Sequence, residues 1–467
     1  MQIPIVSGIY TDEDSDFRTA YPRNLEPVPK QQGISNGYLR PAEGIVELST
    51  GNPGADRGSV NWQDICYRVM GTSLVRVDEN GVTTILGDVG GQEQVTMDYS
   101  FDLLAIASDN LFFYWDGGSL TQVTDPDLGP VIDFIWVDGY FMTTDGENLV
   151  VTELSDPTQV DPIKYGSSEV DPDPIIALLK IRNEPVALNR YSCEFYYNIG
   201  GSEFPFQRID GAQLTRGVIG THACAVFLEA VAFLGGGRKE PPSVWLGLNG
   251  KTQKIATREV DQILQQYTET QLSGVVFETR VEQGYNQLII RLPDRALVYD
   301  AQASQELGSP AWFELSSALE GYAQYRATNR VWCYDKWIVG DTSTDSLGTF
   351  SDRVSSHWGE EVGWEFTTPI IYNEGNGAII HELELVALTG RSALGDDPKM
   401  WTRYSTDGET YSDPHFISVG KQGERNKRLV WIGQGHLQNW RTQRFNGTSN
   451  AHASFARLEA RIEQLAW

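Results

Sequence analysis

Apolar residues arrive along this chain in short runs that Gly, Asn and Asp interrupt at brief intervals. In "DICYRVMGTSLVRVDENGVTTIL" the runs at 66–69, 74–77 and 82–86 read as three strands, with Asn80-Gly81 set for a tight hairpin. "LLAIASDNLFFYWDGGSLTQV" repeats the pattern, turning at Asn110 and at Asp116-Gly117-Gly118. "FIWVDGYFMTTDGENLVVTEL" does so again at Asp138-Gly139 and Asp145-Gly146. Such strand-turn-strand units recur at roughly the 30–50 residue period of four-stranded propeller blades. Over residues 46–371 they predict an all-β, propeller-like domain of six or seven blades. A series of two-sheet sandwiches predicts the same even spacing and stays open as the rival.

Three segments depart from this texture. In "TREVDQILQQYTETQLSG" the apolar residues Val260, Ile263, Leu264 and Tyr267 keep helical spacing. Thr257 is placed to cap a helix and Gly274 to end it, so one amphipathic helix is expected near 258–273. From residue 372 to 467 longer alternating runs, "AIIHELELVAL" and "FARLEARIEQL" among them, predict a C-terminal β-sandwich. Residues 1–45 predict an extended N-terminal arm. Prolines 22, 27, 29 and 41 deny it a helix, while Tyr21, Leu25 and Tyr38 offer anchors for something to hold. The arm is a candidate ring-closing strand or a reach toward a neighbouring copy.

Composition narrows the function. The net charge is −27, the reverse of the Lys/Arg surplus that neutralises phosphates, so the chain as a whole is not built to cling to nucleic acid. No stretch approaches a membrane span, and the opening residues lack the basic and apolar regions of a secretory signal. Cys66, Cys193, Cys224 and Cys333 are far apart and sit in apolar runs, which predicts reduced, buried thiols.

Candidate chemistry is sparse. The histidines at 222, 357, 381, 415, 436 and 452 never fall at metal-ligand spacing, and no nucleophile elbow or P-loop occurs. Gly235-Gly236-Gly237-Arg238-Lys239 leads into prolines, so it reads as a hairpin loop. The run Asp12, Glu13, Asp14, Asp16 lacks the glycine and distal glutamate of a calcium loop. "YSTDGETY" at 404–411 resembles the Asp-box turn of sialidase propellers, but Gly408 comes one residue early and Tyr411 replaces tryptophan. No catalytic residue, metal or cofactor is expected. The one local charge reversal lies at 421–444, where Lys421, Arg425, Lys427, Arg428, Arg441 and Arg444 face a single acid, Glu424, with Trp431 and Trp440 interleaved. It reads either as ordinary strand-flanking charge or as a docking face for an acidic partner.

The segment "PPSVWLGLNGKTQKIATREVDQILQQYTETQLSGVVFETRVEQGYNQLIIRLPDRALVYDAQASQELGSPAWFEL" at 241–315 resembles packaged-DNA stabilisation proteins, the tail hub or head-completion family of short-tailed phages. "YPRN", "GYLRPAEGI", "IKYGSSEVDPDPI" and "YSTDGETY" add to the resemblance in the family's order. The resemblance implies a non-enzymatic virion protein of the tail, assembled in the host cytoplasm. It implies a homohexameric ring that docks beneath the portal and its adaptor ring after packaging and closes the DNA exit channel. It also implies that the ring carries the tail needle and tailspikes, with DNA as channel cargo only. The competing reading is a tail propeller that binds or hydrolyses glycans.

Overall fold

The structure, a computed structural model, describes all residues except 7, 12–16, 31–33, 36, 283, 374–375, 438 and 466–467. The acidic run Asp12 to Asp16 lies outside the described residues. Seven sheets of four or five antiparallel strands succeed one another along the chain and form seven blades. Their innermost strands are Asp56–Trp62, Thr96–Tyr99, Asp133–Val137, Ile175–Ile181, Cys224–Phe227, Val276–Glu282 and Ala327–Cys333. Successive blades bury separate apolar clusters. Trp62 and Val69 meet Ile106 and Trp115 between the first two blades, and Phe112 meets Phe134 and Phe141 between the next two. Because inner strands are covered on both faces, runs such as Leu104–Ser108 are buried at every position and read as continuous apolar sequence.

The turns follow the sequence with one difference. Asp109 and Asn110 both take positive φ, as do Asp138 and Gly139, and each pair closes a two-residue hairpin that matches strand twist. At Asn80-Gly81 only Gly81 does so. There Asp78 accepts hydrogen bonds from the backbone of Asn80 and Val82, and this side-chain-capped loop replaces the expected tight turn.

The ring is closed by Gly44–Ser49, which adds the outer strand to the seventh blade beside Leu347–Ser351. A Cβ on Gly44 would stand 2.7 Å from the carbonyl oxygens of Val354 and Ser356, so the close approach requires glycine. Polar groups complete the closure on the inner side. Buried Asp56 of the first blade accepts from Arg68 at 2.5 Å and from Asn329 of the seventh at 2.5 Å. The Asn329 backbone N–H donates to Glu278 of the sixth blade at 3.0 Å.

The helical segment differs from the single helix expected. Arg258–Leu264 and Glu269–Ser273 are two short helices, because Thr268 and Gln271 form a capping box that starts the second. A further helix, Ala301–Leu307, lies in the sixth blade with Asp300 as its N-cap and left-handed Gly308 ending it.

The C-terminal sandwich reaches beyond 372–467. Its first sheet runs Leu25–Pro29, Gly37–Pro41, Ser454–Gln464, Ala378–Leu388 and Leu429–Ile432, with Gln2–Ile3 also paired to Ser454–Gln464. Its second runs Gly363–Thr367, Trp440–Thr448, Lys399–Ser405 and His415–Ser418. Gly363–Thr367, expected within the propeller, is thus a sandwich strand, and the arm supplies both a sheet edge and the core residues Ile3, Ile5, Leu25 and Leu39. Pro27 and Pro29 occupy the edge strand, where a missing N–H is tolerated.

His357 packs against the propeller: its Nδ1 lies 2.9 Å from Ser317 Oγ and its ring meets Tyr325 edge-on. Burial holds His357 down at about 4, and burial does the same to His222 just before the inner strand of the fifth blade. Both are neutral when folded at pH 7 and bind a proton more readily when unfolded. Their contribution is therefore complete above about pH 6.5 and is lost as pH falls toward 4. Buried Asp133, raised to about 7, acts in the opposite sense, so variants must be compared. His357→Gln is expected to flatten the acid limb of the unfolding free energy by about 2–3 kcal/mol between pH 6.5 and 4, read by urea denaturation at each pH.

Candidate interface: the arm and the C-terminal basic segment

The arm's anchors are engaged within the chain. Segment 19–26 runs between the outer strand of the sixth blade and the first strand of the sandwich. Asn24 N donates to Glu314 O at 2.8 Å, Glu314 N to Pro22 O at 2.9 Å, and Arg23 N to Glu365 O at 2.9 Å. The Asn24 side chain holds both sides: its Nδ2 donates to Ser316 O at 2.8 Å and Gly363 O at 2.7 Å, and its Oδ1 accepts from Ser316 N at 2.9 Å. Asn24 is buried at φ 53°, a region in which asparagine is favoured over most residues. Tyr21 bonds Thr257 through its hydroxyl and packs on the propeller core, while Leu25 is wholly buried in the sandwich. Tyr38 is half-buried beneath the Lys30 ammonium.

The six basic residues of 421–444 do not form one face. Lys421, Arg425, Lys427 and Arg428 are exposed on a loop and the strand start beside it. Ser392 Oγ donates to Gly420 O and Thr389 Oγ1 to Glu424 O, so the loop is braced from the neighbouring turn. Arg428 pairs with Glu384 at 2.6 Å and Glu382 at 3.3 Å, whereas Lys421 and Arg425 have no ion pair among the described residues. Arg441 points the other way. It is fully buried, donates to Gln434 O and Gln443 Oε1 at 2.6 Å each, and stacks 4.1 Å from the Tyr404 ring. Burial without a carboxylate partner pushes it down to about 10. Arg444 is half-buried, 3.5 Å from Glu365 and over the Tyr411 ring. Trp431 is also core, so strand alternation divides the segment in a way its composition conceals.

Arg441→Ala is accordingly expected to destabilise the sandwich by about 2–4 kcal/mol in chemical denaturation. In the variants that still fold, any partner affinity should be unchanged.

The Asp-box-like turn is structural. Asp407 accepts from Ser405 Oγ and from the backbone of Glu409 and Thr410, and these bonds hold its carboxyl well below the usual range. All four cysteines are buried and free. Among the described residues no group of His, Cys, Asp and Glu is arranged to hold a metal ion, and no helix is long and apolar enough to cross a membrane.

A seven-bladed propeller fused to a β-sandwich through its own N-terminal arm is the architecture of a scaffold with several outward faces. The chain belongs to the bacteriophage P22 Gp10 family: residues 1–355 match the family's β-propeller and residues 363–463 its β-sandwich. The tail hub protein gp10 of Salmonella phage P22 is 27% identical over 460 residues, covering 94% of each chain. Among solved structures, the N-terminal domain of Nup159 aligns with a TM-score of 0.43 at 9% identity, over 69% of this chain and 97% of that one. The Pan2 WD40 domain of Neurospora crassa gives 0.41 at 8% identity, over 66% and 94%.

Proposed function

We propose that this protein is a structural tail hub of a short-tailed phage. The observation that carries the reading is the match to both parts of one family, propeller and sandwich, together with a tail hub relative aligned over 94% of each chain. In this reading six copies dock as a ring beneath the portal–adaptor assembly after packaging, close the DNA exit channel, and carry the tail needle and tailspikes. The chain acts by assembly and catalyses nothing.

The charge supports the cargo role. A wall built from copies at −27 repels the phosphate backbone and lets DNA pass without adhering, the inverse of a counterion-release binder. The braced loop with Lys421, Arg425 and Lys427 offers an acidic adaptor surface an exposed cationic feature. Binding of the purified chain to a portal–adaptor complex, followed by co-sedimentation, tests the reading. Lys427→Glu with Arg428→Glu is expected to weaken that binding about tenfold at low salt and less at high salt. Undiminished binding by this variant removes the loop from the interface, and absence of binding by the wild type refutes the hub.

A further inference from the structure

The sandwich's second sheet carries an open groove of about 210 Å³ on its outer face, walled on one side by propeller residues 319–321. Strand register fixes its floor. Trp401, Asn446 and Glu365 are successive cross-strand partners and line it on one face, Phe416 continues that row beyond the lining, and Arg403 lies opposite Arg444 in the next row. Trp401 and Phe416 meet at 5.3 Å between ring centroids, with Phe416 56% exposed. Arg444 is fixed over Tyr411, whereas Arg403 is exposed and makes no ion pair or side-chain hydrogen bond among the described residues. Aromatic rings beside one held and one free arginine make the composition of a protein-binding hot spot.

The groove sets three arginines, Arg23, Arg403 and Arg444, against two acids, Glu320 and Glu365, on a strongly acidic chain. Residues 77–163 contain 17 Asp and Glu and not one Lys, Arg or His. They form the outer part of the first blade and nearly all of the second and third. From this flank projects the turn between Thr96–Tyr99 and Leu104–Ser108, with Phe101 85% exposed and Asp102 beside it. The turn is held rigid: Trp62 Nε1 donates to Ser100 O at 3.1 Å, Gln63 Nε2 to Phe101 O at 3.0 Å, and Ser100 N to Leu103 O at 2.8 Å. A braced turn that offers an aromatic ring and a carboxylate to water loses little entropy on docking.

We infer that the groove around Trp401 and Arg403 receives the Phe101–Asp102 turn of a second copy of this chain. Opposite charge selects the pairing, since the unpaired Arg403 meets Asp102 in a stretch of sequence without a cation, and the aromatic side chains supply the buried centre. Two different surfaces meet, so the contact is heterologous and propagates from copy to copy into a closed ring. The inference rests on the ring proposed above and adds which surfaces form it.

The test uses full-length chains free in solution and bound to portal–adaptor complex, with association read by sedimentation velocity and chemical cross-linking. Phe101→Ala, Asp102→Lys and Arg403→Glu alter exposed side chains. Each is expected to weaken copy-to-copy association at least about tenfold, and association should fall with added salt. The charge exchange Asp102→Arg with Arg403→Asp in one chain should restore it to within a few-fold of wild type. A wild type that stays uncross-linked both free and on the complex overturns the inference. So does association unaffected by Arg403→Glu and Asp102→Lys, or a loss that the exchange fails to restore. If Arg403→Glu abolishes docking on the complex while Asp102→Lys does not, the groove serves another partner and the inference falls. Copies that associate through this contact but ignore the portal–adaptor complex would instead contradict the proposed hub.

Discussion

Asn24→Ala is expected to lower the unfolding free energy by about 3–5 kcal/mol. The amide serves three buried backbone groups, Ser316 O, Gly363 O and Ser316 N, and alanine answers none of them. Each buried group left without a partner costs about 1–3 kcal/mol. Alanine also tolerates φ 53° less well than asparagine. Because Ser316 follows the sixth blade and Gly363 opens the sandwich, the loss separates two bodies rather than loosening one. Urea denaturation followed by tryptophan fluorescence should show the single transition split or shift to lower denaturant. Deleting residues 1–30 extends the same effect, since it also removes the edge strand Leu25–Pro29 that covers Gly37–Pro41. That chain is expected to be insoluble or unfolded in its sandwich. A variant or truncation with wild-type stability would show that the arm is only a leader.

Asp56→Ala is expected to cost a similar amount, about 3–5 kcal/mol, at the junction of the first and seventh blades. Asp56 and Arg68 are both fully buried as a pair, and removing the carboxylate leaves a guanidinium with no charge to meet it. Asn329 Nδ2 loses its acceptor at the same time. Since the first and seventh blades meet here, native-state hydrogen exchange should rise first in Ser73–Val77 and Lys336–Asp341. Asp56→Ala with Arg68→Met should recover part of the loss, because an apolar pair of similar volume avoids the uncompensated charge.

Much of this fold is legible in the sequence, because hairpin chemistry is local. Asp109-Asn110 and Asp138-Gly139 can only mark tight turns, and buried runs between such turns require covered strands. What escapes is non-local. Nothing in "GIVELS" says that Gly44–Ser49 will pair with a strand some three hundred residues later, nor in "YPRN" that Asn24 will bridge two bodies. The arm's prolines reveal an extended edge, but not that the edge belongs to the C-terminal sheet. The second helix start at Thr268 had a readable signal in the Thr268–Gln271 capping box, as did Ala301–Leu307 in Asp300 and Gly308. Apolar periodicity across 258–273 masks the first, and adjacent strand residues mask the second. The basic run is not a single patch because Arg441 and Arg444 lie on a strand of the second sheet, on opposite faces, while Lys421–Arg428 precede a strand of the first, and composition encodes neither sheet nor face.

The central claim is that this protein is a hub built to assemble as a ring at a portal-type vertex. Imaging purified chain mixed with portal–adaptor complex by electron microscopy addresses it most directly. The account predicts six copies added as one closed ring at the end of the adaptor, with the propellers and sandwiches arranged around a continuous channel. A portal–adaptor complex left bare at saturating chain, or decorated by scattered single copies without six-fold order, would contradict it.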